Sequence, residues 1–208
     1  MPSISLLLLL DLTGTFVFAL SGGLLAVRKD LDIVGIVVLS VVTGLGGGVI
    51  RDVLLGRTPP AALERESYLV AAIAAAAVVY FFSNRIERMG TPLQRFDALG
   101  LGLFAVSGTL TSLNAGLGFV PAVLLGVVTG AGGGVVRDLL VADIPLVFRR
   151  DVYALAALLG ATTFAAGARI GVPEFAAAVL GVAATVVLRL MSTRHDWHAP
   201  RPRPSRSS

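Results

Sequence analysis

Residues 42–52 read V-T-G-L-G-G-G-V-I-R-D, and residues 128–138 read V-T-G-A-G-G-G-V-V-R-D. The offset, from 42 to 128, is 86 residues, and it holds well outside the motif. Asp11 aligns with Asp97, Phe18-Ala19 with Phe104-Ala105, Ser21-Gly22 with Ser107-Gly108, and Pro59 with Pro145. At one residue less, Arg65-Glu66 and Tyr68 align with Arg150-Asp151 and Tyr153. Coincidence does not produce agreement over such a length, so the chain is a duplicated unit.

What is duplicated is a set of membrane spans. The 208-residue chain is 55% hydrophobic and 14% charged, with a mean hydropathy of +0.85. Average globular chains carry roughly a quarter charged residues. A helix crossing the hydrocarbon core needs about 20 mostly apolar residues. Ile4–Val27 is interrupted only by Asp11, and Ile33–Ile50, Ser67–Phe82, Ala98–Leu113, Phe119–Val136, Val152–Ala168 and Phe175–Leu188 contain no ionised side chain. Several of these runs are nearer 16 than 20, so their ends must use interfacial residues or a thinned bilayer. Asp11 inside the first run, and no basic start before it, speak against a cleaved signal, so this run is read as the first span.

Each unit holds three spans, an odd number. The second copy therefore enters the membrane from the opposite side, and the repeats are antiparallel. The expected fold is an all-α membrane protein of seven transmembrane helices: a first three-helix repeat over 1–90, a second, inverted repeat over 91–170, a seventh helix over 171–190, and a basic disordered tail over 191–208. Inverted repeats of this kind place their functional site near the bilayer midplane.

The polar residues inside the spans concentrate at the repeated motif. Glycine weakens a helix by about 1 kcal/mol against alanine, and bare backbone at membrane depth is tolerated only where protein buries it or a wet cavity meets it. Gly46, Gly47 and Gly48, with Gly132, Gly133 and Gly134, are accordingly expected to kink or break their helices and turn carbonyls or amides to a lumen. Thr43, Gly47 and Arg51 lie four apart on one helical stripe, and Gly44, Gly48 and Asp52 on the next. Thr129, Gly133 and Arg137, and Gly130, Gly134 and Asp138, repeat the pattern. Arg51 and Arg137 should project from opposite faces of the membrane, with Asp52 and Asp138 holding them or capping helix ends. Asp11, Thr15 and Gly22, and Asp97, Phe104, Ser107 and Thr111, add stripes on the first and fourth spans. A packing alternative stands beside this reading. Gly44 with Gly48 and Gly130 with Gly134 are G-x-x-x-G pairs that bring helices close, Asp11 and Asp97 sit near span starts where they would cap, Ser21 and Ser107 would bond a carbonyl of their own helix, and Tyr68, Tyr80 and Tyr153 read as interface anchors.

Other chemistries find little support. The chain has no cysteine, and its two histidines, His195 and His198, follow the last span. No nucleophile triad, paired-carboxylate or zinc motif falls within the spans, so the protein is not read as an enzyme. Of the 17 lysines and arginines, Arg51, Arg57, Arg65 and Arg169 fall on the amino-terminal side and the rest on the other. Positive loops stay cytoplasmic, which puts the amino terminus outside and the carboxyl terminus inside. The Pro/Arg/Ser-rich tail accounts for the high pI without nucleic-acid binding.

At these residues the chain resembles a known family. The duplicated GGG-x-x-RD signature in two three-span repeats, followed by a seventh span, is similar to the prokaryotic trimeric intracellular cation (TRIC) channels, a family overlapping domains catalogued as glycine-transporter-like. The resemblance extends over about residues 5–190. It implies a homotrimer with a pore in every subunit, passing K⁺ and other monovalent cations such as Na⁺ without a cofactor. It implies a pore lined by the first, second, fourth and fifth spans and bent at the two glycine triplets. Asp11, Ser21, Thr43, Arg51, Asp52, Asp97, Ser107, Thr129, Arg137 and Asp138 then become candidate pore or gating residues beside the glycines. The Lys-Glu-Val sequence by which animal relatives contact an inositol lipid has no match here, and the location implied is the cell membrane. A carrier for glycine or another small zwitterion is the alternative, because inverted repeats serve carriers as well as channels and arginine binds carboxylates bidentately.

Overall fold

The computed structural model describes residues 5–149, 152–195 and 197. Among these the regular structure is entirely helical: α1 (Leu6–Arg28), α2 (Ile33–Leu54), α3 (Ala61–Glu64), α4 (Glu66–Glu87), α5 (Pro92–Asn114), α6 (Phe119–Leu140), α7 (Leu146–Arg149), α8 (Val152–Arg169) and α9 (Glu174–Arg194). Seven are long and apolar enough to span a bilayer, and α3 and α7 are single turns. The side on which α1 begins is called the first side below, and the side on which it ends the second.

The spans are longer than their uncharged runs. Twenty-two residues rise about 33 Å, enough for a hydrocarbon core of about 30 Å. The extra length comes from charged ends wound into the helices: α2 continues through Arg51 and Asp52, α5 begins before Arg95 and Asp97, and α9 continues to Arg194. The tail expected from residue 191 thus starts as helix, and 196 and 198–208 lie outside the described residues, as do Arg150 and Asp151. Local signals set the starts. The Ser5 hydroxyl accepts from the Leu8 amide at 3.3 Å, the Asp32 carboxylate accepts from the Gly35 amide at 2.8 Å, and Pro92 occupies the first turn of α5. Gly116 and Gly171, with φ of 86° and 83°, reverse the chain after α5 and α8, a backbone setting that glycine adopts without steric cost.

Packing obeys the 86-residue offset. Phe18 of α1 and Phe104 of α5 are repeat mates, and their rings stack on each other with centroids 5.5 Å apart and an interplanar angle of 24°. Each ring also lies against the other repeat's glycine, Phe18 on Gly100 and Phe104 on Gly14. Gly22 faces Thr43 between α1 and α2, as Gly108 faces Thr129 between α5 and α6. Gly44 meets the Thr15 carbonyl, as Gly130 meets that of Leu101. The two units are one arrangement in opposite orientations, with α1 and α5 back to back at the centre. α9 stands outside the pairing and packs on α8, where Gly160 and Gly181 allow close approach. Outward faces are apolar: Val34, Val38, Val70, Ile73, Phe81, Val120, Leu124, Leu155, Val179 and Val187 are exposed. That surface suits lipid rather than water.

The glycine triplets depart from expectation. Both α2 and α6 run through them as uninterrupted helix. A Cβ at Gly47 would collide with the Thr129 carbonyl, and one at Gly133 with the Thr43 carbonyl. The two helices cross here with backbone against backbone, so at Gly47 and Gly133 the place of a side chain is taken by the other helix. Thr43 and Thr129 bond carbonyls in their own helices, Leu39 at 2.5 Å and Leu125 at 2.6 Å, and take part in this crossing. Close backbone packing falls on the central glycine of each triplet and on Gly44 and Gly130, whereas Gly48, the other member of its G-x-x-x-G pair, makes no such contact.

Gly47→Ala or Gly133→Ala should therefore overpack the crossing at about 1–3 kcal/mol and lower the thermal unfolding midpoint of the detergent-purified protein. Gly46, where a Cβ would meet only the Gly133 Cα at 3.6 Å, should accept alanine with little change. Equal losses at all three would show that the crossing is not the tight point.

Candidate functional site

Each repeat buries one arginine between two aspartates. On the first side, Arg51 donates Nε–H to Asp52 Oδ1 at 2.8 Å and Nη1–H to both oxygens of Asp11, at 3.1 and 3.2 Å. On the second, Arg137 donates Nε–H to Asp138 Oδ1 at 2.9 Å and Nη1–H to Asp97 Oδ1 at 2.8 Å. The motif accounts for the geometry. Arg and Asp are adjacent on the last turns of α2 and α6, so the guanidinium folds back onto its own neighbour, while its far edge reaches α1 or α5. The first-span aspartates are the sixth residue of their helices, beyond the N-caps Ser5 and Thr91. They are buried ion-pair partners and not caps.

The free oxygen of each motif aspartate fixes the re-entrant turn that follows. Asp52 Oδ2 accepts from the Ala61 amide and Asp138 Oδ2 from the Leu146 amide, both at 3.0 Å, at the first residues of α3 and α7. Carboxylates at a helix N-terminus satisfy amides that lack partners in the helix. A tyrosine completes each network: Tyr68 donates to Asp11 Oδ2 at 3.3 Å and Tyr153 to Asp97 Oδ1 at 3.4 Å. Both tyrosines are buried, so these two are not interface anchors, whereas Tyr80 is exposed. Their place in the repeat alignment was the signal that they belong with the aspartates.

The arginines pose an electrostatic problem for a path that passes cations, since two like charges 4 Å apart cost about 4 kcal/mol at an effective dielectric of 20. The networks answer it. Each holds two carboxylates against one guanidinium, a formal charge of −1, and each of the two arginines is paired with both of its aspartates.

The two ends differ in room. A cavity of about 470 Å³ opens on the first side, lined among others by Ser5, Asp11, Arg51, Arg57, Arg65, Tyr68 and Thr111. Beneath it, between Thr15, Gly44, Gly48 and Phe104, the space falls to about 10 Å³, at the margin of what one water molecule occupies. On the second side the cavity beside Arg137 and Asp138 is about 100 Å³, bounded by Leu25, Leu93 and Leu146. Gly48 has open space before the Arg51 side chain, while at Gly134 a Cβ would lie 2.9 Å from the Tyr153 hydroxyl. The seventh helix adds to this inequality. Arg189 of α9, buried at 3% exposure, places its guanidinium 4.9 Å from the centre of the Tyr153 ring. Sequence reading assigned Arg189 to the basic loop charge, because α9 is not repeated and nothing in the first unit corresponds to it.

Of the remaining candidates, Ser21 is drawn into the second-side network. Its hydroxyl donates to the Phe18 carbonyl at 2.9 Å, the bond expected within its own helix, and accepts from Arg137 Nη1 at 3.0 Å. Ser107 Oγ is buried without a hydrogen-bond partner among the described residues.

Breaking a buried ion pair by removing one partner costs about 3–5 kcal/mol, less where water reaches the group left behind. Arg137→Ala should accordingly lower the thermal midpoint more than Arg51→Ala, whose aspartates face the large cavity. The reverse order in a detergent melting assay would contradict the assigned difference in hydration.

The family model described as Glycine transporter matches residues 8–84 and 94–169. The chain is 47% identical over 154 residues to a UPF0126 membrane protein of Deinococcus radiodurans, covering 73% of this chain and 72% of that one. It is 37% identical over 195 residues to the UPF0126 inner membrane protein YadS of Escherichia coli, covering 93% of each. Among solved structures, the TRIC trimeric intracellular cation channel orthologue from Rhodobacter sphaeroides superposes with a TM-score of 0.87 at 40% identity, over 93% of this chain and all of that one. A prokaryotic TRIC channel crystallised in 0.5 M KCl gives 0.85 at 32% identity, over 93% and 98%. With the paired motif, the inverted three-helix repeats and the seventh helix all in place, the chain belongs to the multi-pass membrane family that holds the UPF0126 proteins and the bacterial TRIC channels.

Proposed function

We propose that this protein is a cation channel, permeable to K⁺ and other monovalent cations, that assembles as a homotrimer with one path in every subunit. The path runs between α1, α2, α5 and α6, from the first-side cavity past Asp11 and Arg51 to Arg137 and Asp97 on the second side. The observation that carries this reading is the pair of buried Arg/Asp networks, one at each end, each with an excess negative charge. A cation entering from either side meets carboxylates whose neighbouring arginine is already neutralised. The structural relatives, which are channels and not enzymes, support the same reading.

The narrowing beneath Arg51 makes the present conformation a closed one. Opening requires the narrow space between the two networks to widen, and the glycine triplets let α2 and α6 flex where they cross. Membrane potential acts on Arg51 and Arg137 directly, at about 2.3 kcal/mol per charge moved through 100 mV. The protein lies in the cell membrane with its amino terminus outside, as the lysine and arginine distribution directs, so the large cavity faces out.

A carrier for glycine or another small zwitterion is the second reading. It is favoured by the description of the matching family model and by a cavity that presents both carboxylates and guanidinia. Purified protein in planar bilayers under a KCl gradient should give unitary currents reversing near the K⁺ potential. A carrier would instead give saturable, counterflow-sensitive uptake of labelled substrate and no unitary currents. Arg137→Gln should alter open probability or cation selectivity, and unchanged currents would remove the arginine from gating.

A further inference from the structure

The two networks, equivalent by sequence, are bonded differently. Arg137 shares its Nη1 between Asp97 Oδ1 and Ser21 Oγ of the other repeat. Arg51 gives its Nη1 to both oxygens of Asp11 and nothing to Ser107, the repeat mate of Ser21. Among the described residues, two of the buried side-chain atoms without a hydrogen-bond partner are Ser107 Oγ and Asp97 Oδ2. These are the two atoms that would be filled if each arginine adopted the other's arrangement: Arg51 reaching Ser107, and Arg137 spanning both oxygens of Asp97. A buried hydroxyl or carboxylate oxygen left unbonded is costly, and both fall at mate positions of one symmetric device.

We infer that Ser21 and Ser107 are the alternate seats of a two-position arginine switch, and that the two ends of the protein stand in opposite settings. The arginine seated on the opposite repeat's serine marks the constricted end: it ties α6 to α1 on the second side, where the cavity is about 100 Å³. The arginine withdrawn onto its aspartate marks the open end, where the cavity is about 470 Å³. Exchanging the settings moves Arg51 onto Ser107, tying α2 to α5 and closing the first side, while Arg137 leaves Ser21 and the second side opens. Because α1 and α5 pack back to back through Phe18 and Phe104, a shift of either is felt at both ends. The serines are positioning residues, acting on the path through the arginines. The exchange is the same whether an ion or a zwitterion passes.

The absence of cysteine from the chain makes a direct test available. Thr111→Cys reports on the first-side cavity and Leu25→Cys on the second, each by its rate of modification with a small thiol reagent in proteoliposomes, with no transport measured. Ser21→Ala removes the closed seat of Arg137, and should raise labelling at position 25 by about tenfold, as expected for losing a hydrogen bond to a charged group, while labelling at position 111 falls. Ser107→Ala removes the alternate seat of Arg51, and should hold position 111 accessible while labelling at position 25 drops. Reciprocal changes at the two reporters support the switch. Unchanged rates, or both reporters rising together as in a loosened fold, overturn it. Should Ser21→Ala not fold, Ser107→Ala alone decides: a fall at position 25 supports the switch, and no change or a rise overturns it.

Discussion

The fold depends on a guanidinium held between two carboxylates inside the membrane, once in each repeat. An arginine buried without partners would be too costly to persist there, and an aspartate pair without the arginine would repel itself. Together they make a unit that pins three separate pieces of chain: the end of α2 or α6 that carries the arginine, the early turns of α1 or α5 that supply the far aspartate, and the re-entrant turn whose first amide the near aspartate holds. This explains why the motif aspartate follows the arginine directly. One oxygen has to face the guanidinium and the other the returning chain, and only adjacency at the helix end allows both. Where the chain re-enters the membrane, and therefore where α4 and α8 begin, follows from that geometry.

Glycine serves the same arrangement from a different direction. The arginines reach across to α1 and α5 because α2 and α6 lie close to them and to each other, at Gly22, Gly44 and Gly47 in one repeat and at Gly108, Gly130 and Gly133 in the other. Without a hydrophobic drive between helices in lipid, such contacts rest on dispersion between closely apposed backbones. The triplet is thus two things at once. Its central residue is spent on the crossing, while Gly48 borders the narrow space beside Arg51. The expectation of a broken helix failed because it treated three neighbouring glycines as one feature, although they point in three directions around the helix.

Much of this was legible in the residues. The repeat offset foretold the inversion and the Arg-Asp pair foretold a neutralised guanidinium, whereas the stripe of Thr43, Gly47 and Arg51, read as facing a lumen, has Thr43 and Gly47 packed against other helices. The partners of the arginines across the bundle were less visible. Asp11 and Asp97 looked like caps because they lie near span starts; Asp97 directly precedes its apolar run, and the polar residues before it gave no sign that α5 begins at Pro92. Tyr68 and Tyr153 shared the repeat but had an ordinary explanation as interface residues. Arg189 had no signal, since a lone arginine at the end of an unpaired span is indistinguishable from a loop charge until α9 is seen lying against Tyr153.

That last residue bears on why a duplicated chain need not have equivalent ends. Inverted repeats by themselves give two half-sites of equal energy, so the occupied setting would be arbitrary. α9 breaks the equality. It packs against α8 and α5 of the second repeat and brings a buried cation to the face of Tyr153, whose hydroxyl meets Asp97. A cation over an aromatic face in a desolvated place contributes about 2 kcal/mol, comparable to the difference that decides between two settings of a symmetric pair. The tyrosine on the first side has no such neighbour from α9, and it borders the larger cavity. The unpaired helix is thus the element by which a symmetric scaffold acquires a preferred closed end.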